Sequence, residues 1–158
     1  MEICYNETTR TALLHRLNCG RYNYMLKLIV GVKGTGKTKA LINLVNGALE
    51  VTKGDVVCIE KGVKLRYDIK PTARLVNVEE YMISDAKSLY GFIAGILSSN
   101  HDVTDLFVDG TLKICGDLAS FEALAPDLDK LASKLNINLV MTVSAPLEGA
   151  SEVIRKFA

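Results

Sequence analysis

The sequence predicts an α/β fold, a three-layer sandwich in which helices cover both faces of a mainly parallel five-stranded sheet. Two observations lead to this prediction. Short apolar runs alternate along the chain with longer segments whose apolar residues recur at helical spacing. Strands that alternate with crossover helices form parallel sheets, and their ligands bind beyond the carboxyl ends of the strands. Polar residues at those ends are therefore the candidates for function.

Five runs are predicted as strands buried on both faces, because they are short, apolar and partly β-branched. In chain order they are Met25–Val30, Asp55–Glu60, Arg74–Val78, Asp105–Asp109 and Ile137–Ser144.

Four segments between and after these strands are predicted as helices. The first lies between the first two strands, and Gly54 is expected to stop it. The second follows Ser84. The third spans 121–135, where Pro126 is expected either to kink the helix or to mark its start. A short last helix is expected within 148–157.

The composition is that of one globular domain: 158 residues, of which 49% are apolar and 23% charged. The formal net charge of +1 gives no evidence for a nucleic acid partner. The four cysteines are far apart and have no histidine cluster nearby, which argues against a zinc site and a disulfide framework. No apolar stretch reaches the roughly 20 residues that span a bilayer. The sequence therefore predicts a cytoplasmic protein with no membrane partner.

Residues 1–24 are predicted to be an N-terminal extension, because they are mostly polar and the first apolar strand begins at Met25. Two interpretations stay open for this extension. It is either peripheral and partly ordered, or it forms a short helix over 9–17 that packs on the domain. Residues 25–158 are predicted to form the domain itself.

A phosphate-binding loop follows the first strand. The pattern Gly-x-x-x-x-Gly-Lys-Thr is matched in full by Gly31, Val32, Lys33, Gly34, Thr35, Gly36, Lys37 and Thr38. Glycines allow positive φ angles that turn successive backbone N–H groups toward one anion, and the following helix adds its positive end. The strand, loop and helix together predict the P-loop NTPase fold, so that residues 25–158 are a nucleotide-binding domain.

The loop side chains predict a nucleoside triphosphate and Mg²⁺ as ligands. Lys37 is expected to be exposed before the ligand binds and to contact the β- and γ-phosphates, and the Thr38 hydroxyl to bind magnesium. Lys39 is included among the nucleotide-binding residues. Lys33 belongs to the loop as well, although its side chain has the alternative of pointing into solvent. No Asn-Lys-x-Asp motif for guanine is present, which favours ATP.

Asp109 ends an apolar strand in the manner of a Walker B element, and it is the second predicted magnesium ligand. The alternative is an ordinary Asp-Gly turn. Gly110 occupies the position where many P-loop ATPases carry a catalytic glutamate. Glu60, at the end of the second strand, is the alternative source of a catalytic carboxylate, or else a solvated charge at a strand end.

This order of motifs over about 25–145 resembles the RecA-like group of P-loop ATPases. The resemblance implies a catalytic role for Glu60 together with Lys37 and Asp109, and a γ-phosphate sensor at Thr142 or Ser144. It also implies the strand order 5-1-4-3-2, with the Walker B strand beside the phosphate-loop strand or one removed from it.

The predicted function is binding of ATP with magnesium-dependent hydrolysis, slow unless a protein partner or a homo-oligomer completes the site. Arginines from a neighbouring subunit are candidates for that completion: Arg66, Arg74 and Arg155. Two alternatives remain. One is a nucleotide-binding switch without significant turnover. The other is a small nucleoside or nucleotide kinase, because residues 57–68 are faintly similar to thymidine kinases, although the cysteines of their zinc-binding segment are absent.

Overall fold

The computed structural model describes residues 25–158, and the predicted extension over 1–24 lies outside the described residues. Its sheet contains five strands, all paired in parallel. They are β1 (Leu26–Gly31), β2 (Asp55–Glu60), β3 (Arg74–Asn77), β4 (Val103–Val108) and β5 (Asn138–Ser144). Each predicted strand is present, with bounds that differ by at most two residues at either end. The predicted α/β fold with a mainly parallel, five-stranded sheet is therefore confirmed, and every strand pair in it is parallel.

The strands lie in the order β1-β5-β4-β2-β3. The implied order 5-1-4-3-2 is wrong, although β4 is indeed one strand removed from β1. The strand between them is β5, in which every residue from Leu139 to Val143 is buried, as suits a strand with neighbours on both edges. Among the described residues β1 and β3 form the two edges of the sheet, and β3 is short and carries the exposed Arg74.

Within residues 25–158, five α-helices and two short 3₁₀ helices lie between or after the strands. The α-helices are α1 (Lys37–Val51), α2 (Ala86–Ser99), α3 (Thr111–Cys115), α4 (Leu118–Leu135) and α5 (Glu152–Phe157), and the 3₁₀ helices span Lys64–Tyr67 and Val78–Tyr81. Among these described helices, none is both long enough and apolar enough to cross a bilayer.

Two apolar cores, one on each face of the sheet, produce the three layers. On one face α1 and the first 3₁₀ helix cover inward residues such as Phe107 and Val140. On the other face α2, α3, α4 and α5 cover residues such as Leu106 and Met141. The alternation of neighbouring strand residues between the two cores follows from the two-residue repeat of a β-strand.

Some element boundaries differ from those expected. Pro126 lies inside α4 and does not mark its start; the start is at Leu118, where the Asp117 side chain accepts a hydrogen bond from the Ser120 N–H at 2.7 Å. The last helix begins only after Ser151, whose hydroxyl accepts from the Ile154 N–H. The helix α3 was not predicted, because five residues are too few for a periodic pattern.

Gly54 does not stop α1, which already ends at Val51. It allows a close approach of two backbones instead: a Cβ atom at Gly54 would overlap the Asp102 carbonyl oxygen and the Thr104 side chain. Next to it, the Asp55 N–H donates to the same carbonyl at 2.7 Å.

Gly54→Ala is therefore expected to lower the free energy of unfolding by about 1–3 kcal/mol, because the added methyl group forces the two segments apart. Urea denaturation measures this change. Gly91→Ala in α2 is the matched control, since nothing lies within 4 Å of its added Cβ, and alanine there should stabilise the helix by up to about 1 kcal/mol. A Gly54→Ala protein as stable as the wild type would contradict the close approach.

Candidate functional site

A cavity of about 380 Å³ lies at the carboxyl ends of three adjacent strands, β1, β5 and β4. It is lined by Gly34, Gly36, Lys37, Thr38, Asp109, Gly110, Lys113, Thr142 and Ser144. Seven residues predicted for the site, from three distant parts of the chain, thus share one cavity: Gly34, Gly36, Lys37, Thr38, Asp109, Thr142 and Ser144. The remaining predicted loop residues do not line it, and among them Lys33 and Lys39 are exposed: Gly31, Val32, Lys33, Thr35 and Lys39.

The loop backbone has the geometry that its glycines predict. Gly34 and Gly36 have φ angles of 87° and 82°, in the left-handed region where other residues are strained. Gly36 is also the N-cap of α1, and no side chain caps this 15-residue helix or places an acidic group in its first turn. The N-terminal N–H groups of α1 therefore carry a positive partial charge that no capping side chain offsets.

Lys37 is only 8% exposed, so the expectation of an exposed lysine is wrong. Its Nζ folds back under the loop and donates to the Val32 carbonyl oxygen at 2.8 Å. The Thr35 hydroxyl donates to the same oxygen, also at 2.8 Å. Burial lowers the pKa of Lys37; the Asp109 carboxylate opposes this effect and the Lys113 ammonium adds to it.

Asp109 joins the loop to the central strands. Its carboxylate accepts from the Thr38 hydroxyl at 3.2 and 3.3 Å and from the Thr142 hydroxyl at 2.9 Å. The Thr142 hydroxyl in turn accepts from the Gly110 N–H at 2.8 Å. Hydroxyl and carboxylate oxygens are the ligands that Mg²⁺ prefers, and Mg²⁺ takes its remaining ligands from water and phosphates. The Thr38 and Asp109 pair therefore fits this ion.

The two predicted sensor residues differ in their surroundings. Thr142 is buried and its hydroxyl is engaged by Asp109 and Gly110, whereas Ser144 is exposed and lines the cavity. Both residues line the cavity, and the Thr142 hydroxyl holds the Asp109 carboxylate in place. A γ-phosphate sensor at either residue stays a prediction.

Glu60 lies outside the lining of this cavity. It is 3% exposed, so the alternative of a solvated strand end is wrong. Its carboxylate accepts from the Lys64 N–H at 3.0 Å and from the Leu65 N–H at 3.2 Å, at the beginning of the first 3₁₀ helix. Burial raises the pKa of Glu60; the hydrogen bonds from Leu65 and Lys64 oppose this effect, while the Asp109 charge adds to it. A catalytic role for Glu60 stays a prediction.

A second cavity of about 340 Å³ lies beside the edge strand β3, and Glu60, Arg66 and Arg74 are among its lining residues. It shares no lining residue with the cavity of the phosphate loop. Arg155 is exposed on α5 and lines neither cavity. None of the three predicted arginines therefore completes the phosphate-loop cavity within the same chain.

Lys113 lines the phosphate-loop cavity and was not predicted. It lies on α3, one helical turn after Gly110. The spacing Asp109-Gly110-x-x-Lys113 was the available signal, because a helix that starts at a strand end turns its third or fourth residue back over that end.

No protein-family model matches this sequence, and no curated protein matches it significantly. Among solved structures, the chain is similar to the crystal structure of the flagellar accessory protein FlaH from Methanocaldococcus jannaschii. The TM-score is 0.58 with 15% sequence identity, over 93% of this chain and 74% of FlaH. At this identity the similarity concerns the fold alone, an α/β fold built on a parallel sheet.

Proposed function

We propose that this chain binds ATP with Mg²⁺ in the cavity of the phosphate loop and hydrolyses it slowly unless a protein partner or a second copy completes the site. The observation that carries the proposal is the phosphate loop itself. Two left-handed glycines and the uncapped start of α1 adjoin a cavity that also receives Lys37.

The charges of the cavity support a polyphosphate ligand. Backbone N–H groups, the positive end of α1 and the Lys37 ammonium are all complementary to an anion. Because Lys37 is held by a carbonyl oxygen of its own loop, it is already positioned beneath the site and needs only to exchange one oxygen partner for another. Thr38 and Asp109 would hold Mg²⁺, which when bound neutralises charge on the phosphates.

Slow turnover is supported by the acidic residues. Asp109 is the only carboxylate among the described residues that line the cavity, and it already accepts two hydroxyl hydrogen bonds. Glu60, the predicted base, is engaged by two backbone N–H groups. An activated water therefore depends on a rearrangement of Glu60 or on a group from another chain.

The same engagement of Glu60 favours a second candidate function, a nucleotide-binding switch without significant turnover. A comparison of phosphate release separates the two. We expect the wild type to bind ATP and to release phosphate slowly, and variants with an altered phosphate loop not to bind ATP. If two copies complete each other's sites, the rate of phosphate release per molecule should rise with protein concentration. Glu60→Gln should abolish this release if Glu60 acts as the base. Binding without any release would favour the switch, and transfer of phosphate to an added nucleoside would favour a kinase.

Asp109→Asn tests the magnesium pair. The amide keeps the size of the side chain but removes the charge, so we expect ATP affinity in the presence of Mg²⁺ to fall about tenfold or more, while affinity measured with EDTA changes little. Calorimetric titration with and without Mg²⁺ measures both values. Equal loss under the two conditions would show that Asp109 does not act through the metal.

A further inference from the structure

We propose that Lys113 supplies, from the same chain, a second positive charge that contacts the terminal phosphate of the bound triphosphate and distinguishes it from a diphosphate. This inference rests on the proposed function and adds a residue to the same site.

The path of the chain brings Lys113 to the cavity. Gly110 has a φ angle of 67° and turns the chain directly from β4 into α3, where the Lys113 N–H donates to the Gly110 carbonyl at 2.9 Å. A Cβ atom on Gly110 would lie 3.5 Å from Lys113 Cδ, so the aliphatic part of the lysine side chain lies across this glycine. Lys113 therefore reaches the cavity that it lines by way of Gly110, which lines the same cavity.

The backbone of Lys113 is well anchored, which makes its position a fixed feature of the site. On α3 the neighbours Thr111, Ile114 and Cys115 are buried. The Lys113 carbonyl oxygen also accepts a hydrogen bond from Lys61 Nζ at 3.2 Å. The side chain itself is exposed and free to adjust its terminal atoms to a ligand.

The charges within the cavity are complementary to an anion. Within residues 25–158, Lys113 Nζ has no ion pair or hydrogen bond, and Lys37 Nζ is bound only by a neutral carbonyl oxygen. The single lining carboxylate, Asp109, therefore faces two ammonium groups. A polyphosphate would balance the positive charge of both ammonium groups, and magnesium bound at Asp109 alone would not.

The strand order indicates which phosphate each lysine meets. Lys37 follows β1, Lys113 follows β4, and Ser144 at the end of β5 lies between them. Two strand spacings separate β1 from β4, about 10 Å. A chain of phosphates that begins in the loop and runs toward β4 therefore presents its last group to Ser144 and Lys113.

The test compares ATP and ADP, each with Mg²⁺, on the wild type, Lys113→Met and Lys113→Arg by calorimetric titration. Methionine keeps the aliphatic length but removes the charge. We expect Lys113→Met to lower the affinity for ATP about tenfold or more and the affinity for ADP less than about twofold. Lys113→Arg should keep most of the ATP affinity. Lys134→Met at the exposed end of α4 is the control and should change neither affinity.

Two results would overturn the proposal. In the first, the wild type binds both nucleotides and Lys113→Met lowers the affinities for ATP and ADP equally, or lowers neither. Lys113 then does not contact the terminal phosphate, and the proposed function is unaffected. If the wild type binds neither nucleotide, the proposed function fails and this inference fails with it. Melting temperatures of the variants without nucleotide, expected within about 2 °C of the wild type for an exposed side chain, establish that each is folded.

Discussion

Replacing Lys37 with methionine is expected to abolish the stabilisation of the protein by ATP while leaving the ligand-free protein as stable as the wild type. ATP at a hundredfold excess over its dissociation constant should stabilise the wild type by about 2.7 kcal/mol. Without the ammonium group the phosphates lose their closest charged donor, so the same ATP concentration should leave the melting temperature of Lys37→Met unchanged.

The expected stability of ligand-free Lys37→Met relative to the wild type follows from the surroundings of Lys37. Methionine loses one hydrogen bond, to the Val32 carbonyl, at a cost of about 1 kcal/mol. Methionine also removes a buried charge, which raises the free energy of unfolding. Because the pKa of Lys37 is lowered in the folded protein, its charge opposes folding at neutral pH, and this penalty disappears only as pH rises from the folded pKa toward the ordinary value of 10.5. The two effects have opposite signs at neutral pH, so we expect a small net change in the stability of the ligand-free protein.

Calorimetric melting with and without Mg²⁺ and ATP measures both parts of this prediction. Lys53→Met, at an exposed lysine that does not line the cavity, should keep the full ATP-dependent increase in melting temperature. An increase in Lys37→Met equal to that of the wild type would be incompatible with phosphate binding in this loop.

Glu60→Ala should reduce the free energy of unfolding by about 2–4 kcal/mol, because the Lys64 and Leu65 N–H groups lose their acceptor and Leu65 is buried. Glu60→Gln keeps one acceptor oxygen and should cost about 1 kcal/mol. Urea denaturation of the three proteins at one pH measures these differences. Equal stability of Glu60→Ala and the wild type would mean that the carboxylate does not hold the first 3₁₀ helix.

Glu60 also contributes a pH dependence with a definite sign. Its pKa is raised in the folded protein, so between its ordinary value of 4.5 and its folded value the folded protein binds more protons than the unfolded chain. Stability therefore falls as pH rises through this range, and Glu60→Gln should remove this decrease. The lowered pKa values of Asp85 and Asp117 act in the opposite direction and at lower pH, below their ordinary 3.8, so the two effects are separable.

The parts of the fold that could be predicted are those with a local signal. The strands are recognisable because burial on both faces requires uninterrupted apolar residues, and the phosphate loop because its glycines must adopt left-handed angles. The position of β5 between β1 and β4 has no such signal, since it depends on how the crossover helices pack on the sheet. A mainly parallel sheet could therefore be predicted from the sequence, and the order of its strands could not.

In the candidate site, too, some features had a local sequence signal and others did not. That Thr38 and Asp109 lie close together was predictable, because each belongs to a motif attached to a strand end. The contacts of Glu60 depend on a 3₁₀ helix four residues away, which has no periodic pattern. The position of Lys113 at the cavity depends on the short helix α3, and apart from its spacing from Asp109 nothing in the sequence around this lysine marks it as different from a surface lysine. Residues whose surroundings are set by neighbouring short elements are the ones that sequence patterns describe least well.

The shared carbonyl of Val32 has a consequence for selectivity among anions. Lys37 and Thr35 both donate to it, so an arriving anion must outcompete an intramolecular acceptor before it gains the ammonium group. The net benefit is only the difference between two hydrogen bonds, one to a neutral oxygen and one to a charged oxygen. A small anion that binds through this contact alone gains little from the exchange. On the proposed function a polyphosphate would gain more, because the backbone amides and the metal would bind it at the same time, and we therefore expect the loop to favour polyphosphates over simple anions.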